Sequence, residues 1–203
     1  MSAPPSVPFP ADYRKPEDLA DWLELMALHV ADHDASAGDL ERELQRLNCA
    51  DSESLIGNVF TELERRERSS GDAYPFVRKP SSVYMEKAPD NHISYLFCLA
   101  LSARGWKLRK NAPENPWLLF EEVATLAAQQ YLDGEALLFG TSSRKGRKAN
   151  NAFRTNVSTL AARLGEGEGF GPTKTFSSKD SHLDLVAWKP FSDQRSGQVV
   201  LFG

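Results

Sequence analysis

From Pro16 onward, Leu19, Trp22, Leu23, Met26 and Val30 recur at spacings of three and four, which predicts an amphipathic helix; Pro16, Glu17 and Asp18 suit its first turn. Leu40, Leu44 and Leu47 mark a second helix, with Ser36 and Asp39 as a capping pair at its start. A third starts at Asp51 or Ser52, with Leu55, Ile56, Val59, Phe60 and Leu63 as its buried stripe. Ser69-Ser70-Gly71-Asp72 is turn chemistry. It precedes two short strand segments, Tyr74 to Val77 and Val83 to Met85, flanking the loop Lys79-Pro80-Ser81-Ser82.

Three helices and a hairpin predict a winged-helix-like module. Beyond it, Asp90 or Asn91 can cap a fourth helix whose inward face is Ile93, Leu96, Phe97, Ala100 and Leu101. A turn-rich joint, Asn111 to Pro116, leads to a helix from Trp117 to Leu132 that ends at Asp133-Gly134. Next come a buried strand, Ala136 to Phe139, and a helix near Ala152 to Leu164 with Phe153, Val157, Leu160 and Ala161 inward. Gly165 to Gly171 is a flexible connection, too irregular for a nucleotide-binding fingerprint. Two strands close the chain, His182 to Trp188 and Val199 to Phe202. The expected class is therefore α+β: a mobile proline-rich arm over residues 1–10, a helical module with a hairpin over 11–88, and an α/β part over 89–203.

Composition narrows the function classes. No apolar run approaches the roughly 18 residues of a bilayer span, and the start lacks the basic and apolar regions of a secretory signal, so the expected location is the cytoplasm and no membrane partner is expected. Cys49 and Cys98 lie far apart without metal-type spacing and read as ordinary thiols. The net charge of −4 hides an asymmetry: residues 1–70 hold 15 acidic and 7 basic side chains, residues 71–203 hold 13 and 17. Only the second part has the sign of a nucleic-acid surface, which leaves the acidic first part a structural or protein-contact role.

Candidate chemistry lies in the second part. Asp184 stands inside the apolar segment Leu183-Asp184-Leu185, where a buried carboxylate would need a partner or a metal; a half-exposed strand would instead turn it to solvent. Glu121 sits in Phe120-Glu121-Glu122-Val123, where it can equally complement the helix dipole. A glutamate on a first helix, an aspartate on a core strand and an adjacent strand together resemble the PD-(D/E)XK, restriction-endonuclease-like nucleases over residues 115–203. That resemblance implies a partial α/β nuclease core, metal-dependent DNA cleavage in bacterial restriction or antiviral phage defence, and Glu121 and Asp184 as catalytic ligands of Mg²⁺. Clustered carboxylates hold such ions, which activate water and offset charge on the phosphodiester.

The family's acid-x-lysine element is missing: Gln198 opens the last strand and Val200 stands two residues on. Either the sequence stops short of that element or the site is degenerate; the expectation is the former, and that this chain alone is inactive. His182 can act as ligand or base, or be a surface histidine, and Lys189 can stand in for the absent lysine or be a surface one. The loop Thr141 to Lys148 carries Arg144, Lys145, Arg147 and Lys148 without an acid, and Arg154 follows, which suits DNA phosphates or a solvated connection. The alternative to the enzyme is a non-catalytic module on the same scaffold, binding nucleic acid or protein.

Overall fold

Why α1, Pro16–His29, forms and where it packs follow from the same four side chains: Leu19, Ala20, Trp22 and Leu23 lie on one stripe and are buried in the core of the amino-terminal unit. The computed structural model describes residues 7–29, 34–85, 92–104, 114–139, 149–165, 183–192 and 198–203. The chain divides into two units, Met1–Asn111 and Ala112–Gly203. Among the described residues it is a mixed α+β protein with six α-helices and two three-stranded antiparallel sheets. No described helix is long and apolar enough to cross a membrane.

In the first unit α1 is followed by β1, Ala35–Ser36, α2, Ala37–Arg46, and α3, Ser52–Ser70. A short 3-10 turn, Gly71–Ala73, leads to the hairpin of β2, Phe76–Lys79, and β3, Ser82–Met85; α4, Ile93–Arg104, closes the unit. Strand order is β1-β3-β2, with Ala35 opposite Val83 and Phe76 opposite Met85. The predicted capping pair is present: Ser36 Oγ accepts from the Asp39 amide at 3.3 Å, and Asp39 Oδ2 accepts from the Ser36 amide at 2.9 Å. Leu40, Val59, Leu63, Phe76, Val83 and Leu99 complete the core around α1.

Three expectations change here. The arm is anchored from Val7 on, because the Trp22 indole donates to Val7 O at 3.1 Å and Phe9 meets the Trp22 ring edge-on at 5.1 Å; residues 1–6 lie outside the described part. α4 belongs to the first unit rather than opening a second at residue 89. Its inward face is also shifted in part: Leu96 packs against the core and Leu101 is buried as expected, but Tyr95 and Leu99 face the core as well while Ile93 is 64% exposed. The cause is polar, since Tyr95 and Ser102 of α4 hydrogen-bond to carboxylates of α1.

The second unit contains α5, Pro116–Leu132, β4, Glu135–Leu138, α6, Ala149–Leu164, β5, Leu185–Pro190, and β6, Gln198–Phe202. Asn115 Oδ1 caps α5 by accepting from the Trp117 amide, with Pro116 at its first position. The helix ends at Asp133 in the left-handed region, φ 48°, and Gly134 then passes so close to β5 that a Cβ would stand 2.2 Å from Trp188 O. Strand order is β4-β5-β6, with Leu138 opposite Leu185 and Trp188 opposite Val200. Phe139, Val186 and Trp188 pack with Val157, Leu160 and Leu164 of α6 on one face. Alternation assigns the buried Leu185 and Ala187 to the other face, against which α5 packs.

Candidate functional site

Asp184 occupies the head of the central strand of the second sheet. Its amide donates to Gly203 O at 2.8 Å and its carbonyl accepts from the Phe139 amide at 2.7 Å, so its main chain is fixed on both sides. Its side chain is exposed. The desolvation argument for a metal therefore does not apply, and the solvent-facing alternative describes the carboxylate.

Glu121 is half-buried on α5. The two-residue turn at Asp133-Gly134 makes β4 run back along α5. Five residues of strand span about 16 Å at about 3.3 Å each. About eleven residues of helix, at 1.5 Å each, cover the same length. Counted back from Leu132, that brings the neighbourhood of Glu121 level with Phe139 and Asp184. Counted by element length alone, the two predicted ligands fall toward one end of the unit. Magnesium takes one or two carboxylates with water and phosphate oxygens, so both donors have suitable chemistry. Among the described residues no group of three His, Cys, Asp or Glu side chains gathers to hold a metal ion. Among the described residues the pair stands as two carboxylates and not as a three-ligand group.

Lys189 lies at the other end of β5, about 17 Å from Asp184 at the rise of an extended strand. There its Nζ pairs with Asp133 Oδ2 at 3.0 Å on the surface, which leaves it no part in orienting a nucleophile beside Asp184. Arg144, Lys145, Arg147 and Lys148 lie outside the described residues, as do His182 and the side chain of Arg154. In sequence Lys148 immediately precedes Ala149, the first residue of α6.

The structure also gathers a buried network of charged groups that the sequence did not reveal. In the amino-terminal unit Asp21 and Glu24 of α1 are 4% and 0% exposed. Arg66 of α3 donates to Asp21 Oδ1 at 2.7 Å, to Glu24 Oε2 and Glu62 Oε1 at 2.9 Å, and to Glu17 O at 3.1 Å. Tyr74 and Tyr95 hydroxyls both donate to Glu24 Oε1, at 2.8 and 2.9 Å, and the Ser102 hydroxyl donates to Asp21 Oδ2 at 2.6 Å. Burial pushes the Glu24 carboxyl up from its ordinary range, against the pull of Arg66 and both tyrosines. Hydrogen bonds from Arg65 and then Arg66 bring Glu62 down to about 2, opposed by its partial burial. The signal in the sequence was two acids, Asp21 and Glu24, set among Leu19, Ala20, Trp22, Leu23 and Ala27, which are all buried.

Many outer cations of the same unit are also matched. Between Asp34 and Met85 stand seven basic residues, and each has a carboxylate partner: Arg42 with Asp39, Arg46 with Glu43, Arg65 with Glu62, Arg66 as above, Arg68 with Glu64, Arg78 with Glu67 and Lys79 with Asp34. Ten acids to seven bases leave this helix and hairpin surface negative. A phosphate backbone would have to displace those carboxylates and meet the excess negative charge. Comparison of the chain with protein-family models, with curated proteins and with solved structures gave no match.

Proposed function

We propose that this chain serves as a metal-dependent DNA endonuclease of the PD-(D/E)XK type in bacterial restriction or phage defence. In this reading the second unit binds DNA and the first meets a protein partner. The observation that carries it is Asp184, an exposed carboxylate at the head of a central strand on a main chain hydrogen-bonded on both sides; element lengths put Glu121 toward the same end. The order helix, strand, helix, strand, strand around an antiparallel sheet is in keeping with such a core. The order α1-β1-α2-α3-β2-β3 with sheet order β1-β3-β2 is in keeping with a winged helix. Its charge-paired outer surface favours protein over DNA as the partner of that module. The basic loop from Arg144 to Lys148, with Arg154, supplies the phosphate contacts.

A second reading, a non-catalytic binding module, is favoured by the lack of a three-ligand group among the described residues. Duplex-DNA binding and cleavage by the intact chain, with and without Mg²⁺, separate the two. On the endonuclease reading Mg²⁺ strengthens DNA binding, Asp184→Asn and Glu121→Gln each remove that gain, and cleavage stays weak because two carboxylates leave the attacking water unoriented. Binding that Mg²⁺ only screens, unchanged in both variants, supports the non-catalytic module. No DNA binding under any of these conditions overturns both nucleic-acid readings.

A further inference from the structure

The second sheet ends on an unguarded edge. β6 lies last in the order β4-β5-β6, and among the described residues nothing pairs with its outer side. Leu185 and Gly203 exchange both of their main-chain hydrogen bonds, at 3.0 and 3.1 Å. In an antiparallel ladder such pairs alternate with pairs that do not bond, so Leu201 and Val199 turn their N–H and C=O groups to β5, whereas Phe202, Val200 and Gln198 turn theirs outward. A charge, a proline or a bulge is what keeps an edge strand from pairing with another chain. Gln198-Val199-Val200-Leu201-Phe202 carries no charge and no proline, and its register with β5 runs unbroken from Pro190 opposite Gln198 to Val186 opposite Phe202. The other edge differs: β4 opens on Glu135, whose carboxylate meets Arg163 at 4.0 Å. Apolar side chains also stand uncovered on both faces of β6, Phe202 67% exposed on one and Val199 49% exposed on the other.

We propose that β6 pairs antiparallel with β6 of a second copy of this chain, joining two three-stranded sheets into one across a two-fold axis at Val200. The strand is its own complement. Centred there, each outward-facing residue meets another: Val200 meets Val200 of the second copy and Phe202 meets Gln198 of the second copy, each pair exchanging N–H and C=O groups. On the opposite face of the sheet Leu201 meets Val199 of the second copy, an apolar pair repeated by the two-fold axis. No like charges oppose each other anywhere along the pairing. A slip of one residue would set outward-facing groups against groups already bonded to β5, which fixes the register. A five-residue strand buries little surface, so the dimer is a weak one that forms with rising concentration.

Sedimentation of the intact chain from about 1 to about 200 µM, with amide exchange at both ends of that range, tests this. The mass is expected to rise with concentration from 22.6 kDa toward twice that value and no further. In step with it the Val200 and Phe202 amides gain protection, about tenfold where about nine-tenths of the chain is paired, while those of Leu201 and Val199, bonded to β5 throughout, hold. Val199→Lys with Phe202→Lys, at two exposed positions, is expected to keep the chain single. Relative to the unsubstituted chain, which carries Cys49 and Cys98, Val200→Cys should form a disulfide-linked dimer on mild oxidation and Val199→Cys should not. Only position 200 stands opposite itself, at about 5.5 Å between Cα atoms. A mass that stays at one chain, or that grows past two, overturns the proposal. So does a dimer whose Val200 and Phe202 amides stay unprotected, one that persists in the double lysine variant, or equal crosslinking through Val199→Cys. Exchange in the unsubstituted chain decides the matter even where a variant fails to fold.

Discussion

Replacing Arg66 with methionine keeps most of the side-chain volume and removes the one guanidinium that Asp21, Glu24 and Glu62 share. Arg66 and its two α1 partners have side chains 15%, 6% and 0% exposed, so the pairs are not surface pairs. Breaking a buried pair from one side leaves charge without compensation and costs about 3–5 kcal/mol. The capacity of Glu24 to take a proton limits the loss and places the expected value at the lower end, about 3 kcal/mol. Arg68→Ala is the control: its ion pair with Glu64 joins side chains 76% and 42% exposed, and a pair of that kind contributes about 0–1 kcal/mol. Urea unfolding of the first unit, followed by exchange of the α1 and α3 amides, reads the difference. With an m-value of about 1–2 kcal/mol/M, the midpoint in the Arg66 variant drops by about 1.5–3 M. Adding Glu24→Gln and Asp21→Asn to Arg66→Met should recover part of the loss, because the stranded charges go with the cation. A loss no larger than that of Arg68→Ala would refute the claim that this cluster is desolvated and holds α1 to α3.

Gly134→Ala should destabilise the second unit alone, by about 1–3 kcal/mol or more, since its Cβ would meet main-chain Trp188 O rather than a movable side chain; the thermal midpoint of the β4-β5 core checks it. The carboxyl of Glu62 is lowered to about 2 by Arg65 and Arg66, so its contribution is present above its unfolded value and is lost as pH falls through the folded one. Stability measured from about pH 5 down to pH 2 should thus decline less steeply in Glu62→Gln, and an unchanged slope would discount the pairing.

The helices of the first unit were legible because α1, α2 and α3 each show a single apolar stripe and the Ser36 and Asp39 cap is local in sequence. The orientation of α4 was not. Its apolar residues fit more than one face, and the choice falls to Tyr95 and Ser102, whose carboxylate partners lie 71 and 81 residues away. The buried charge cluster escaped for the same reason: Asp21 and Glu24 read as a polar edge until Arg66, from α3, is brought to them. Asp184 was legible as a singular carboxylate in an apolar segment. Its exposure was left open by the sequence, because Leu183 and Leu185 are compatible with either face and only pairing with Phe139 and Gly203 fixes the strand's head. That element lengths put Glu121 toward the same end depends on the tight turn at Asp133 and Gly134, which positions α5 against β4.

The proposed division of labour, DNA on the second unit and charge-paired helices on the first, is tested most directly by the salt dependence of duplex-DNA affinity. Each phosphate neutralised adds a slope of about −0.9 to log affinity against log salt. Changing Arg144, Lys145, Arg147 and Lys148 together to alanine should flatten that slope by up to about 3.6 and weaken binding alike across unrelated sequences. Arg65→Ala with Arg68→Ala on α3 should leave both quantities as they are. An unchanged affinity and slope in the four-alanine variant, with a loss in the α3 variant, would contradict the account and move the DNA surface to the first unit.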